Sequence, residues 1–491
     1  MFLLLYLFAG PKSPWAQEPQ WPELVLDPQD RVLVIAPHPD DEVLGCAGVI
    51  QKAVAKNIPV RIVFLTNGDS NQWSFLVYRK HPVVMPGAVE KMGLVRHDEA
   101  VEAAKILGLS MDDLIFLGYP DFGTINMWYA RWGNRPPFKS LLTRKTAVPY
   151  KNALRYAAPY KGEEILRDLE TVLDKFNPTK IFISHPADHN GDHLAAYLFT
   201  RVALWDIIGL SQIKNVVEVQ YNDLFSPEKR PNIDFLNVFS GEKVNKTQNQ
   251  PEIYPYLIHQ LDWPSVKGFH AEESLAPPKF FLPEVSWKSC SLTPQEIEVK
   301  IKALKAHKSQ YQSTPKYLLS FIRTNELFGD FPVIKLPANT VALSLPSGKE
   351  KTTPPIPEEL TDHERASYVG LEWQSLRLEA DHFVVSIKLS KPLAEGVGAS
   401  IYIFGYRFDR PFAQMPKVHI KLGVERYSVY DQAASLPKDS IQVTRKPDEI
   451  TIQVPLSVLG DPQNILTSAR TYIGNVPLDW VSWRVVELTK D

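Results

Sequence analysis

An alternation of patterns restricts the fold more than any other feature of this sequence. From Arg31 to Tyr221, short β-branched runs take turns with longer amphipathic ones. Segments 32–36, 60–66, 114–117, 181–184 and 216–221 read as strands, and 43–56, 95–107, 163–176 and 194–208 carry helical periodicity. Strands that alternate with helices form a mostly parallel sheet covered on both faces, the α/β class. In such sheets ligands bind beyond the carboxyl ends of the strands, where successive loops converge. The polar clusters follow that rule: His38 to Glu42 after the first strand, Asn67-Gly68-Asp69 after the second, Gly118 to Asp121 after the third, and His185 to His193 after the fourth.

With 491 residues the chain exceeds what one hydrophobic core holds, so a second domain is expected. Residues 27–335 are assigned to the α/β domain. Segment 128–160 is rich in aromatic, Pro and Arg residues and reads as a long loop, part of a substrate wall; 222–283 is similarly irregular, and a helix returns over 294–308. A Pro-, Ser- and Thr-rich stretch over 336–364 reads as a linker. Beyond it, segments 383–389, 400–404, 418–422 and 449–454 alternate like half-buried strands, so 365–491 is expected to be a β-sandwich. Its aromatics, such as Tyr402, Phe404, Tyr406 and Trp483, are read mostly as core, with a sugar-stacking platform as the second reading.

The first residues form an apolar run from Phe2 to Ala9, followed by Lys12, Ser13 and Ala16, the outline of a signal peptide over 1–22. Export to the periplasm or the exterior is therefore expected, with membrane contact only if that segment is retained as an anchor. A net charge of −2 and the lack of a basic run exclude nucleic acid as a partner. Two cysteines, Cys46 and Cys290, exclude both a disulfide framework and a Cys-rich zinc module. Any metal must be held by His and carboxylates.

Two segments supply such groups. A zinc ion that hydrolyses an amide needs a few protein ligands, an open position for water and a base for the water's proton. In His38-Pro39-Asp40-Asp41, His38 and Asp41 can coordinate, while Asp40 is free to act as base and Glu42 to hydrogen-bond a ligand. A third ligand is expected from His185-Pro186-Ala187-Asp188-His189-Asn190-Gly191-Asp192-His193; His193 is chosen, with Asp192 placed to orient it. Other readings apply to several of these residues. His185 can simply end a strand, Asp188 and Asp192 can favour a helix dipole, and Arg96 and Glu99 can form a structural ion pair. His259 reads as an ordinary half-buried histidine.

These motifs resemble the LmbE and PIG-L family of zinc-dependent de-N-acetylases, in which a strand ends in (A/P)-H-P-D-D-E and a later segment reads H-x-D-H. Arg96, Glu99 and Ala100 with Leu107-Gly108, and Gly118-Tyr119-Pro120-Asp121, match further family patterns. The resemblance covers residues 31–330 and implies a Rossmann-like domain, one Zn2+ per chain on His38, Asp41 and His193, and Asp40 as general base. It also implies that the chain removes the acetyl group from an N-acetylglucosamine-type sugar or glycoconjugate. One position departs from the pattern: Asn190 stands where many members place an assisting histidine. Either Asn190 itself hydrogen-bonds the oxyanion, or His189, His185 or a residue of another loop replaces the imidazole; Asp188 is a further substrate-binding candidate. Two other functions compete with the deacetylase: a sugar-binding protein with a weakened site, and a non-haem iron oxygenase using the same two histidines and one carboxylate.

Overall fold

Val32–Ala36 (β1) is buried along its whole length, as a central parallel strand must be when helices cover both its faces. Its side chains alternate: Val32, Val34 and Ala36 enter one core, Leu33 and Ile35 the other. In the computed structural model of the chain, residues 21–70, 85–224, 250–260, 262–282, 284–337, 340, 343–346, 360–474 and 476–489 are described. The expected signal segment lies almost wholly outside them.

β1 is the middle of a five-stranded parallel sheet of order β3-β2-β1-β4-β5. Val60–Thr66 (β2) and Lys180–Ser184 (β4) flank it, with Val32 opposite both Val60 and Lys180. Leu114–Tyr119 (β3) and Glu252–Tyr256 (β5) are the edges. Helices Asp41–Ala55 (α1), Pro86–Ile106 (α2) and Pro294–Ala306 (α6) cover one face; Thr124–Ala130 (α3), Gly162–Phe176 (α4) and the start of Gly191–Leu224 (α5) cover the other. The α/β class expected from the alternation, and the Rossmann-like domain that the resemblance implies, are the ones observed.

The fifth strand is a correction. Segment 216–221, read as a strand, continues α5 instead. Short β-branched runs fit either element, and between Ser211 and Leu224 there is no Gly or Pro to end a helix already under way. The true strand, β5, holds Pro255, which argues against a central strand but is tolerated at a sheet edge. Its position beside β4 brings a further loop, at His259, to the carboxyl end of the sheet.

Ser286–Ser291 (β6) and Asn325–Asp330 (β7) pair antiparallel, and a β-sandwich follows. One sheet runs Gln442–Arg445 (β16), Glu449–Pro455 (β17), His382–Leu389 (β11), Leu371–Glu379 (β10), Leu343–Pro346 (β9); the other runs Ala434–Leu436 (β15), Tyr427–Asp431 (β14), Lys417–Leu422 (β13), Val397–Tyr406 (β12), Asn464–Ile473 (β18), Val476–Thr489 (β19), Ile334–Pro337 (β8). Inward-facing Ile, Val and Leu side chains from both sheets form its core. The expected linker is partly structured: Ile334–Pro337 (β8) lies parallel to Val476–Thr489 (β19), and Leu343–Pro346 (β9) pairs with Leu371–Glu379 (β10). Residues 347–359 of that stretch lie outside the described residues.

Segment 128–160 is not a substrate wall at its start. Trp128 and Trp132 are fully buried against Phe404, Phe412 and Trp483 of the sandwich, with ring centroids 5.0 to 6.0 Å apart. The expectation that Phe404, Tyr406 and Trp483 are core holds, but the core is one shared with the α/β domain. Among the described residues no helix is long and apolar enough to cross a membrane.

Candidate metal centre

The loop after β1 is fixed at both ends before any ligand is considered. Thr66, closing β2, donates to the Pro37 carbonyl through its amide (3.0 Å) and its hydroxyl (3.1 Å). The carboxylate of Asp41, first residue of α1, accepts the His38 amide proton at 3.0 Å. Between them Asp40 adopts φ 118°, a left-handed backbone that a non-glycine residue enters at a cost of about 1–3 kcal/mol. Its amide donates to Glu42 Oε2 at 2.9 Å, and Arg96 donates to the carbonyls of Pro39 and Gly68. The turn is thus clamped from two sides, as strain at a functional position requires.

Asp41 and His193 meet across 152 residues of chain because β1 and β4 are neighbours in the sheet. Asp41 Oδ2 stands 3.2 Å from His38 Nδ1 and 3.1 Å from His193 Nε2, and the two rings are 5.1 Å apart. All three residues are buried, and one ligand atom from each lies within 4.8 Å of the others. Two donors about 2.0–2.1 Å from one tetrahedral ion stand roughly 3.3 Å apart, so these spacings suit zinc. Both ring nitrogens of His193 are buried and each faces a carboxylate, Nε2 that of Asp41 and Nδ1 that of Asp188, without the geometry of a regular hydrogen bond. An imidazole nitrogen that meets a buried carboxylate without bonding it well suits a cation held between the two.

The electrostatics agree. Burial works against a charged imidazole, yet Asp188 and Asp41 override it and hold His193 up to about 9. His38 is likewise raised well above its ordinary value, burial again opposing and Asp121 contributing most in favour. Burial opposes the charged form of Asp41 as well, but His193 and His38 keep its carboxyl well below the usual range. The pocket demands positive charge. A second set, His38 with Asp121 and Asp192, is also within 4.8 Å, but it offers one imidazole against two carboxylates, a poorer match to zinc than two imidazoles and one.

Asp40 differs from its neighbour. Burial pushes its carboxyl up to about 7, with the Arg96 guanidinium at 3.5 Å opposing and Asp41 adding to the rise. A carboxyl that titrates near neutrality suits proton transfer. His38, Asp40 and Asp121 keep 6%, 8% and 6% exposure while His193 and Asp192 have none, so the centre opens on the side of His38 and Asp121.

Several expected supporting roles change hands. Asp192 does not orient His193: its Oδ2 lies 3.3 Å from His38 Nε2 and accepts the Phe122 amide at 2.6 Å, while its Oδ1 accepts the Thr124 amide at 3.1 Å. Asp188 takes that place, 3.2 Å from His193 Nδ1, and its Oδ2 also accepts the amides of Ile258 (3.1 Å) and His259 (2.9 Å). It is a positioning residue and not a substrate contact. The α-helical direction explains the exchange: Asp192 and His193 are adjacent in α5 and their side chains diverge, whereas Asp188 precedes the helix and turns back under it. Glu42 contacts no ligand of the proposed ion; its Oε1 pairs with His307 Nε2 at 2.8 Å, both fully buried. His185 is removed from the oxyanion candidates, since it stacks on Trp287 and contacts Phe281 and Phe331 in the core, where burial lowers it to about 3.

Asn190 caps α5, its Oδ1 accepting the Asp192 amide at 2.8 Å. His189 turns its ring to Trp480 of the sandwich, 4.4 Å away. The imidazole beside the ligands is His259, 4.6 Å from the His193 ring; it reaches there on the loop after β5, where no periodicity marked it. Arg96 and Glu99 do not pair with each other: Arg96 faces Asp40, and Glu99 accepts the amide (2.9 Å) and hydroxyl (2.7 Å) of Ser309. Sequence reading assigned no role to Asp69, Asp121 or His307. Asp121, 3.2 Å from His38 Nε2, had a signal in its Gly-Tyr-Pro-Asp turn; His307, 265 residues from Glu42, had none.

Residues 33–204 match the sequence profile of the PIG-L family, described as GlcNAc-PI de-N-acetylase. No curated protein matches the chain. Among solved structures, N,N′-diacetylchitobiose deacetylase from Pyrococcus horikoshii is 18% identical, covering 61% of this chain and 82% of its own at a TM-score of 0.34. The conserved protein TT1542 from Thermus thermophilus is 20% identical, covering 60% of this chain and 85% of its own at 0.30. A deacetylase of the teicoplanin biosynthetic pathway is 15% identical, covering 61% and 97% at 0.33. Likenesses of this size say nothing about substrate. Residues 33–204, which hold both motifs that converge at the sheet edge, are thus similar to the PIG-L (LmbE-like) deacetylase family.

Proposed function

We propose that the chain is a zinc-dependent hydrolase that removes the N-acetyl group from an N-acetylglucosamine-type amino sugar. The observation that carries the reading is the buried convergence of His38, Asp41 and His193 beside the Asp40 carboxyl, which Arg96 faces at 3.5 Å. Zinc held by these three residues would lower the pKa of a bound water to about 7 and polarise the acetyl carbonyl. Asp40 is the residue that would accept a proton from the water attacking the carbonyl carbon. Arg96, 3.5 Å away, holds Asp40 in place and favours its anionic form before attack. When the carbon–nitrogen bond breaks, the proton passes to the departing amine, leaving acetate and a free amino sugar. His259 supplies the second imidazole on the side left by Asn190, and Asp188 keeps His193 turned toward Asp41.

Purified protein should release acetate from one or more N-acetylated sugars, lose that activity to a chelator and regain it with zinc. Absence of acetate from every N-acetylated sugar, with zinc bound and sugar still retained, would leave a binding protein; turnover that requires oxygen would leave an oxygenase. Export of the chain belongs to the same proposal and rests on its apolar first residues; the amino-terminal sequence of the protein recovered from outside the cell tests it.

A further inference from the structure

Two aromatic residues near the metal centre, Phe122 and Trp480, belong to none of the hydrophobic cores. Phe122 follows Asp121 directly, with φ 57°, and its ring is 60% exposed. Glycine would relieve that left-handed backbone, and an exposed ring gains nothing from burial. Yet the Phe122 amide donates to Asp192 at 2.6 Å, and Asp192 contacts His38, so the backbone that carries this exposed side chain is fixed beside the centre. Trp480 comes from the other domain. It is half-buried on β19, and Asp479 fixes it by accepting the amides of Trp480 (2.9 Å) and of Leu371 (2.6 Å). Its ring meets His189 edge-on at 4.4 Å; the His189 amide donates to the His259 carbonyl at 2.8 Å, and His259 meets His193.

We infer that the β-sandwich completes the substrate cleft, with Trp480 and Phe122 forming an aromatic rim for the sugar ring adjoining the one that carries the reacting acetamido group. The inference rests on the deacetylase reading. A pyranose is an amphipathic disc: one face of C–H bonds lies flat on an aromatic ring while the hydroxyls stay wet, and Trp joins an apolar body to a polar edge. The reacting sugar meets the charged groups His38, Asp40 and Asp121. The next ring outward reaches the aromatic pair, Trp480 standing against His189 of the loop before α5 and Phe122 following Asp121.

Asp40→Asn protein, which should bind sugar without turning it over, is titrated calorimetrically with N-acetylglucosamine and with N,N′-diacetylchitobiose, and tryptophan fluorescence is followed in parallel. The disaccharide should bind about tenfold more tightly than the monosaccharide. Adding Trp480→Ala or Phe122→Ala should remove most of that advantage. Trp480→Phe, whose melting temperature reports whether the sandwich is intact, should keep part of it while abolishing the disaccharide-induced fluorescence change. If the Trp480 variants melt normally and keep both the advantage and the fluorescence change, the rim is wrong. Acetate release by the wild type without any preference for the disaccharide also overturns the rim but spares the deacetylase. Failure of the wild type to bind or deacetylate either sugar overturns both.

Discussion

Helix α5 serves two buried clusters of opposite character. Its first turn gives Asp192 and His193 to the metal centre; Phe199, less than two turns on, packs edge-to-face on Trp128 at 5.2 Å in the seam with the sandwich. The seam is held by apolar burial and ring contact, and every ring there finds a neighbour. The centre crowds Asp40, Asp41, Asp121, Asp188 and Asp192 around His38 and His193, an arrangement whose charges lose hydration and repel one another. A fold keeps such a cluster for its chemistry and stabilises it from elsewhere. The two regions should therefore respond to substitution in opposite ways.

The sharpest test of that contrast is Asp40→Asn. Acetate release should fall about a thousandfold, within the usual range for losing a general base, while zinc content measured by emission spectroscopy stays the same. Urea unfolding should show no loss of stability, because a buried carboxyl is replaced by a neutral amide; a large destabilisation would mean that the centre, too, is structural. Trp128→Ala is the counterpart, expected to lower stability by about 3–5 kcal/mol, with residual activity tracking the folded fraction alone. Chelation ranks third. Stripping zinc from protein held at a hundred times its Kd should reduce stability by about 2.7 kcal/mol, and Asp41→Asn, with a ligand removed, should not respond.

The most gradual effect, smallest per step of pH, concerns a charge inside the seam. Lys417 Nζ lies 3.8 Å over the Phe412 ring and donates to the Met415 carbonyl at 2.7 Å; burial lowers it to about 7, with Asp431, Glu163 and Asp206 opposing. The unfolded chain holds that proton up to about pH 10.4, so between about 7 and 10 it binds more protons than the folded protein. Stability should then rise with pH across that window, by at most about 1.4 kcal/mol per pH unit, and Lys417→Met should flatten the slope. A wild-type profile that falls over the same interval would contradict the assignment.

The parts of the molecule legible in the sequence were those governed by local pattern. β1, α1 and α4 follow from periodicity, and the hexapeptide after β1 announces its chemistry because ligands and base are consecutive. Contacts set by tertiary geometry were not legible. The exchange between Asp188 and Asp192 depends on where each side chain points at a helix entry, and the Glu42–His307 pair depends on α6 ending over α1. Segment 216–221 shows the limit of periodicity, since β-branched residues were read as strand inside a helix that nothing interrupts. The aromatics of 128–132, read as part of a substrate wall, gave no sign that the sandwich buries them.

Strand β8 leaves the α/β domain and immediately lies alongside β19, Ile334 opposite Val486 and Pro337 opposite Thr489. A connection built this way is a lap joint and not a hinge. Tension drawing the two bodies apart runs along the paired strands and must slide several hydrogen bonds together, where a flexible tether would simply straighten. Rigid alignment of this kind lets a side chain on one body keep its distance from chemistry on the other.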